Sequence, residues 1–388
     1  MSERDAGASN TVLLRQERPA YRAEHVGSFL RPPELLQAVA ARDPNLRRLE
    51  DKAILDVLEL QREVGVDVYS DGEYRRTWFA DAWSALEGLV DAPAASFLRR
   101  GWRGESSDLA AEELGRVVNR GAVGAPVRLA RRLARDECAF LRERAPGPFK
   151  ITLPSAATGG LYWFRPGLTD AVYPTRRDLV DALAGLLARE VGLLVQEGAP
   201  YVQLDSLSYV IDLADPDNRA LLEADGLDPE EVLDEVIAGD NAPLAPAVAA
   251  DGVTVALHMC RGNNRSAWTA EGSYEPVAER AFGELEVDRF LLEYDTERAG
   301  GFEPLRFVPR GKKVVLGLIS TKTPELESQD ELLRRIEEAT RYVPVENLAL
   351  SPQCGFASTA RGNLLTPDDQ RRKLELLVDT ARKVWPHG

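Results

Sequence analysis

The sequence predicts an α/β protein built as a (β/α)8 TIM barrel with an insertion between its second and third strands. Three observations predict it. Short β-branched or apolar runs alternate with segments of helical periodicity, which is the pattern of parallel strands joined by crossover helices. Eight such runs occur along the chain. The polar residues suited to chemistry recur at the ends of these runs, where a barrel of this kind presents its active residues.

Taken in order, the expected strands are 21–27, 66–70, 149–153, 201–205, 254–260, 289–295, 313–320 and 348–351. Amphipathic helices lie between most of them. Segment 50–64 places Ile54, Leu55, Leu58 and Val64 at helical spacing, and segment 176–197 does the same with Leu179, Leu183, Leu186, Leu187, Val191 and Leu194. Segments 330–342 and 367–384 follow the same rule. Thr366-Pro367-Asp368-Asp369 is a strong helix start, with a Thr cap, Pro in the first turn and acids at the positive dipole end. Residues 81–130 break the rhythm, with Trp83, Trp102, scattered Gly and a turn-rich stretch at 117–123. They read as an insertion, a hairpin lying over the barrel, because no composition shift or linker marks a second domain. Residues 1–20 read as a polar, poorly ordered lead-in, and 21–388 as a single catalytic domain.

Composition narrows the function. The chain has 388 residues, 44% hydrophobic and 29% charged, with 30 Gly and 24 Pro, an ordinary globular make-up. A net charge of −15 repels phosphate backbones and anionic lipid, which argues against nucleic acid and membranes as partners. No apolar run reaches the roughly 18 residues of a membrane helix, and the N-terminus reads as no signal peptide. Three Cys form no disulfide framework, so a reducing cytoplasm is the expected compartment. There are also only three His, so their placement is informative.

The expected strand ends carry Ser28, Glu73, Ser155, Asp205, His258 with Cys260, Glu293 and Cys354. On a strand, residues i and i+2 face the same side, so His258 and Cys260 point together into the barrel mouth. An imidazole and a thiolate side by side are natural zinc ligands. Cys354 can add a second sulfur from the last strand, and Glu293 an oxygen from the intervening one. A lone His–x–Cys is more often buried packing. Here the concentration of scarce residues at one level favours a zinc site. Cys138 sits on an expected helix and reads as a packed thiol.

As a set, these residues resemble the catalytic C-terminal half of cobalamin-independent methionine synthase, over nearly the whole chain. His25-Val26-Gly27-Ser28-Phe29 is similar to the family's first-strand Gly-Ser loop, and Asp71-Gly72-Glu73 with Arg75-Arg76 to its Gly-Glu segment. Gln203-Leu204-Asp205 resembles its fourth-strand Asp, and Tyr162-Trp163-Phe164 its pterin-stacking segment. His258, Cys260, Glu293 and Cys354 match its zinc ligands in order. The resemblance implies that Gly27 and Ser28 hold an amino-acid carboxylate, that Glu73 and Asp205 hold its ammonium, and that Trp163 and Ser155 face a folate. Ser206 stands where the family carries Glu, and Lys322 where it often carries a His proton donor. The sequence is most similar to the short, single-barrel branch, and more distantly to the epoxyalkane–coenzyme M transferases.

The implied activity is zinc-dependent S-methyl transfer from methyltetrahydrofolate to homocysteine, giving methionine. Zinc supplies the thiolate that a free thiol lacks at neutral pH. A methyl group on a tertiary pterin amine leaves only with proton help, and Asp205, His25 and Lys322 are the candidate donors. The alternatives are alkyl transfer to another small thiol, a non-folate donor such as a methylcorrinoid protein, or a non-catalytic protein that binds zinc or a thiol amino acid.

Overall fold

A computed structural model describes residues 19–92, 101–117 and 121–386. The expected lead-in, apart from its last two residues, and the middle of the turn at 117–123 fall outside them.

The first two strands, β1 (Leu86–Val90) and β2 (Ala122–Leu129), pair antiparallel. Six more form one continuous parallel sheet in chain order: β3 (Ile151–Pro154), β4 (Tyr201–Ser206), β5 (Thr254–Met259), β6 (Arg289–Glu293), β7 (Lys313–Ile319) and β8 (Leu348–Pro352). Every residue of β3, β4, β5, β6 and β8 is buried, as expected for a parallel sheet covered on both faces. Helices α1 (Pro33–Ala41), α2 (Leu46–Val64), α3 (Ser107–Val117), α4 (Arg135–Arg144), α5 (Ala156–Trp163) and α6 (Arg176–Gln196) precede β4. Helices α7 (Pro216–Ala224), α8 (Pro229–Val248), α9 (Glu275–Glu284), α10 (Gln329–Ala339) and α11 (Pro367–Val384) follow it.

The expected first and second strands are each reduced to a single bridge. Ala23 bridges Leu350 of β8, and Tyr69 bridges Phe149 just before β3, both in parallel. The two segments are joined by the bond from Asp67 N to Ala23 O, 2.9 Å. The Asp67 carboxylate also takes the backbone N–H groups of Arg22 and Ala23. A side chain thus occupies donors that a ladder would use, which is why these segments close the ring without forming regular strands.

Alternation along the strands separates two cores. Val202, Leu204, Val255, Leu257, Phe290 and Leu292 point outward into the helix layer. Tyr201, Ala256, Leu291, Val315 and Ala349 point inward, with Tyr21, Val26 and Val68 from the bridging segments. Helix starts follow the sequence signals. Thr366 caps α11 and Thr175 caps α6, each in a reciprocal box with Asp369 or Asp178. Asp215 and Asp228 cap α7 and α8, each followed by Pro.

Segment 81–130 departs from a simple hairpin. β1 and β2 are separated by α3 and pack at the flank. Thr169 Oγ1 donates to Val123 O at 2.7 Å, and Val127 N to the Tyr173 hydroxyl at 2.9 Å. The part that covers the strand ends is instead Trp102–Arg103, stitched to the loop after β5 by the reciprocal Arg103–Trp268 backbone pair (2.7 and 3.2 Å). Among the described residues, no helix is long and apolar enough to cross a membrane.

Candidate active site

The C-terminal ends of the parallel strands open into a cavity. Gly27, Ser28, Glu73, Asp205, His258, Cys260 and Cys354 line it, together with Trp78, Phe79 and Trp102. After β4 a π-helical segment, Tyr209–Ala214, brings Ile211 onto its wall.

On one side of the cavity the donor atoms of His258, Cys260, Glu293 and Cys354 all lie within 4.8 Å of one another, and all four residues are buried. The two sulfurs are 3.8 Å apart, and His258 Nε2 is 3.6 Å from Glu293 Oε1. A tetrahedral ion with metal–sulfur bonds of about 2.3 Å sets its sulfurs about 3.8 Å apart, so the donor set fits a divalent cation. The charges fit as well. Burial alone would lower the His258 pKa, but the carboxylates of Asp205 and Glu293, 3.4 and 3.6 Å from its two nitrogens, hold it up to about 10. Burial would raise Glu293, but His258 draws it down to about 2. The hydrogen bond between the two sulfurs pulls Cys354 below the ordinary thiol range and pushes Cys260 above it. Without a metal, imidazolium is the positive charge this anionic cluster demands, and a metal ion answers the same demand.

Surrounding groups hold the donors in place. Gly262 N donates to Cys260 Sγ at 3.3 Å, and Arg261 N to Glu293 Oε1 at 3.0 Å. Asp205 faces His258 directly across β4 and β5, with Oδ1 3.4 Å from His258 Nδ1. This is the carboxylate–histidine arrangement of metal sites, a role the sequence reading did not give to Asp205. Gln203 donates to the same Oδ1 at 2.8 Å and was likewise missed. The signal was present, since Gln203 shares the inward face with Asp205.

Across the cavity, Glu73 sits in the left-handed region at φ 58°, uncommon for a residue with a side chain. Its backbone is fixed from both directions: its N–H donates to Asp71 Oδ1 at 2.9 Å, and its carbonyl accepts from Arg31 at 3.0 Å. Such a conformation costs on the order of 1–3 kcal/mol and persists where surroundings over-determine it. The Glu73 carboxylate accepts from Thr152 at 2.8 Å and lies 3.8 Å from Arg76. Burial raises its pKa, Arg76 opposes this, and Asp205 adds to it. Ser28 Oγ is buried without a partner among the described residues, in a cavity that can supply one. Gly355 is required beside it, because a Cβ there would stand 2.7 Å from Ser28 N.

Four expected site residues lie elsewhere. The Trp163 ring covers Gly159 and meets Trp83 edge-on at 5.8 Å, away from the cavity wall. β3 ends at Pro154, and α5 carries Trp163 about two turns away from the strand end. Trp78, Phe79 and Trp102 are the aromatic walls instead, and the anomaly of 81–130 had singled out only Trp102. Ser155 caps α5 and is hydrogen-bonded to Asp240. His25 is buried against Phe29, and burial followed by the charge of Lys150 holds its pKa well below the usual value. Lys322 is buried under the loop after β5, with Nζ donating to Asn263 Oδ1 (2.7 Å), Ala267 O (3.2 Å) and Gly262 O (3.3 Å). Of the three candidate proton donors, Asp205 alone lines the cavity. Cys138 is fully buried, with its pKa pushed up to about 11, as expected of a packed thiol.

The family model for the catalytic domain of cobalamin-independent synthase matches residues 158–383. The chain belongs to this family. An uncharacterized protein of Bacillus subtilis, YxjH, is 36% identical over 383 residues, covering 96% of each chain. A methionine synthase of Pyrococcus abyssi is 25% identical, covering 88% of this chain and 87% of its own. Among solved structures, a putative vitamin-B12-independent methionine synthase from Listeria monocytogenes superposes with a TM-score of 0.69 at 30% identity, covering 95% of this chain and 99% of that one. The fold is thus that of the family's catalytic barrel, and the buried His/Cys/Glu/Cys cluster fits a metal site typical of this family.

Proposed function

We propose that the chain is a zinc-dependent S-methyltransferase that passes a methyl group from methyltetrahydrofolate to homocysteine, giving methionine. It acts through a (β/α)8 barrel in which 81–130 is an insertion. One observation carries the reading: three of the four metal donors, His258, Cys260 and Cys354, line the same cavity as the carboxylates of Glu73 and Asp205, and Glu293 completes the cluster. A bare metal module needs only the donors.

A zinc ion at the cluster supplies a Lewis acid that keeps a substrate thiol deprotonated. Glu73 receives the ammonium of the acceptor, and the backbone of Gly27 and Ser28 receives its carboxylate. Trp78, Phe79 and Trp102 exclude water and give a flat pterin a stacking wall. As the sulfur–carbon bond forms, the methyl carbon–nitrogen bond of the donor breaks, and the departing amine takes a proton. Asp205 is the cavity-facing acid for that step.

The test is a matrix of methyl donors against thiol acceptors on zinc-loaded protein. Turnover of methyl-folate with homocysteine supports the proposal. Turnover confined to a methylcorrinoid protein, or to a thiol without an amino group, replaces the donor or the acceptor respectively. No turnover with any pair, at full zinc and with thiol bound, returns the chain to a binding role.

A further inference from the structure

A chain of buried charges runs through the interior of the ring and ends at the metal cluster. Arg289 lies 2.8 Å from Glu24 Oε1, and Lys150 Nζ 3.1 Å from Glu24 Oε2. Lys150 also donates to His25 O and, at 3.0 Å, to Gln203 Oε1. Gln203 Nε2 donates to Val26 O at 2.9 Å and to Asp205 Oδ1 at 2.8 Å. Asp205 then faces His258. Arg289, Glu24, Lys150 and Gln203 are all at most 1% exposed.

Burying these charges in a barrel interior has no stability rationale by itself, since apolar packing of the same volume often does as well or better. The donor inventory shows what the arrangement does accomplish. An ammonium has no acceptor, so Lys150 forces the Gln203 amide oxygen toward itself. The amide N–H groups must then point the other way, one at Val26 and one at Asp205. The carboxylate so held is the one that meets the ring nitrogen of His258 opposite to the nitrogen facing Glu293.

Building on the metal reading above, we infer that Gln203, oriented by Lys150, is a positioning residue for the metal centre. It fixes the Asp205 carboxylate, which fixes the His258 ring with Nε2 toward the other donors. The amide acts only through Asp205 and touches neither metal nor substrate.

The experiment measures zinc affinity by competition with a chelator of known affinity, on wild type, Gln203→Leu, Gln203→Glu, Asp205→Ala and the Gln203→Leu/Asp205→Ala double variant. Thermal unfolding of the metal-free proteins accompanies it. Asp205→Ala should weaken zinc about 10- to 100-fold, the usual loss for an outer-shell partner, and Gln203→Leu about tenfold. The double variant should bind no more weakly than Asp205→Ala, because the amide acts through the carboxylate. Gln203→Glu keeps the size and the Lys150 contact but has no N–H for Asp205, so it too should lose affinity. It serves also if Gln203→Leu does not fold. Unchanged affinity in Gln203→Glu, or losses that add in the double variant, overturns the inference. A folded wild type that takes up no zinc overturns the metal reading instead.

Discussion

The sulfurs of Cys260 and Cys354 face each other at 3.8 Å without a bond between them, whereas a disulfide brings sulfurs to about 2.05 Å. The pair is spaced for a shared cation, and Cys138 lies outside it. Cys260→Ser or Cys354→Ser should therefore lose most of the bound zinc, and Cys138→Ser should keep about one equivalent. Metal analysis of the purified variants decides it, and full occupancy in Cys354→Ser would remove this site.

Glu73 is the acid that faces the cavity from a strained backbone position. Glu73→Gln keeps the shape and removes the charge. Binding of homocysteine, followed by calorimetry on zinc-loaded protein, should weaken by about 1.5–3 kcal/mol, the scale of a charged hydrogen bond. A simple mercaptan should bind wild type poorly and be indifferent to the substitution. Equal binding of both thiols to wild type would exclude an amino-acid acceptor.

The aromatic residues separate by location. Trp102 lines the cavity, so Trp102→Ala should weaken methyl-folate, with about 0.5–1.5 kcal/mol of the loss due to stacking, and leave thiol binding intact. Trp163 packs on Gly159 and Trp83, so Trp163→Ala should lower the unfolding free energy by about 2–3 kcal/mol, less than the 3–5 of a fully buried ring. Donor binding titrations and denaturant unfolding of both variants give the comparison. A donor-binding loss confined to Trp163→Ala would reverse the assignment.

Asp240 supplies a pH signature. It is fully buried on α8, and burial raises its pKa from 3.8 to about 6 against hydrogen bonds from Ser155 and its neighbours. A raised acid stabilises the native state below its unfolded pKa, and that contribution disappears as pH rises through the folded value. The window is therefore pH 4 to 7, and the whole effect is about 3 kcal/mol. Asp240→Asn carries no such titration. Its unfolding free energy relative to wild type should rise by about that amount across the window, and a flat difference would contradict the assignment.

Much of this was legible before the structure because the chemistry and the periodicity coincide. Strand alternation placed His258 and Cys260 on one inward face, the strand ends marked Glu293, and the cap at Thr366 fixed the start of the last helix. Where reading failed, a long-range partner intervened. The Asp67 carboxylate replaced ladder bonds at Arg22 and Ala23, which no local pattern announces. Trp163 lay close to a strand end in sequence, but α5 turned it aside. Lys322 stood at the expected level, yet Asn263, Ala267 and Gly262 claim its three protons. The Asp205–His258 pairing needed the register of β4 against β5, which spacing alone does not supply.

The four donors come from β5 and the residue after it, from β6 and from the turn after β8, so Cys354 follows the last strand of the ring. During synthesis the cluster stays incomplete until nearly the whole ring has left the ribosome. A cation cannot nucleate the early half of the molecule, as it does in domains that are unfolded without metal. The scaffold has to fold on its two apolar cores first, and metal loading becomes the closing step of maturation.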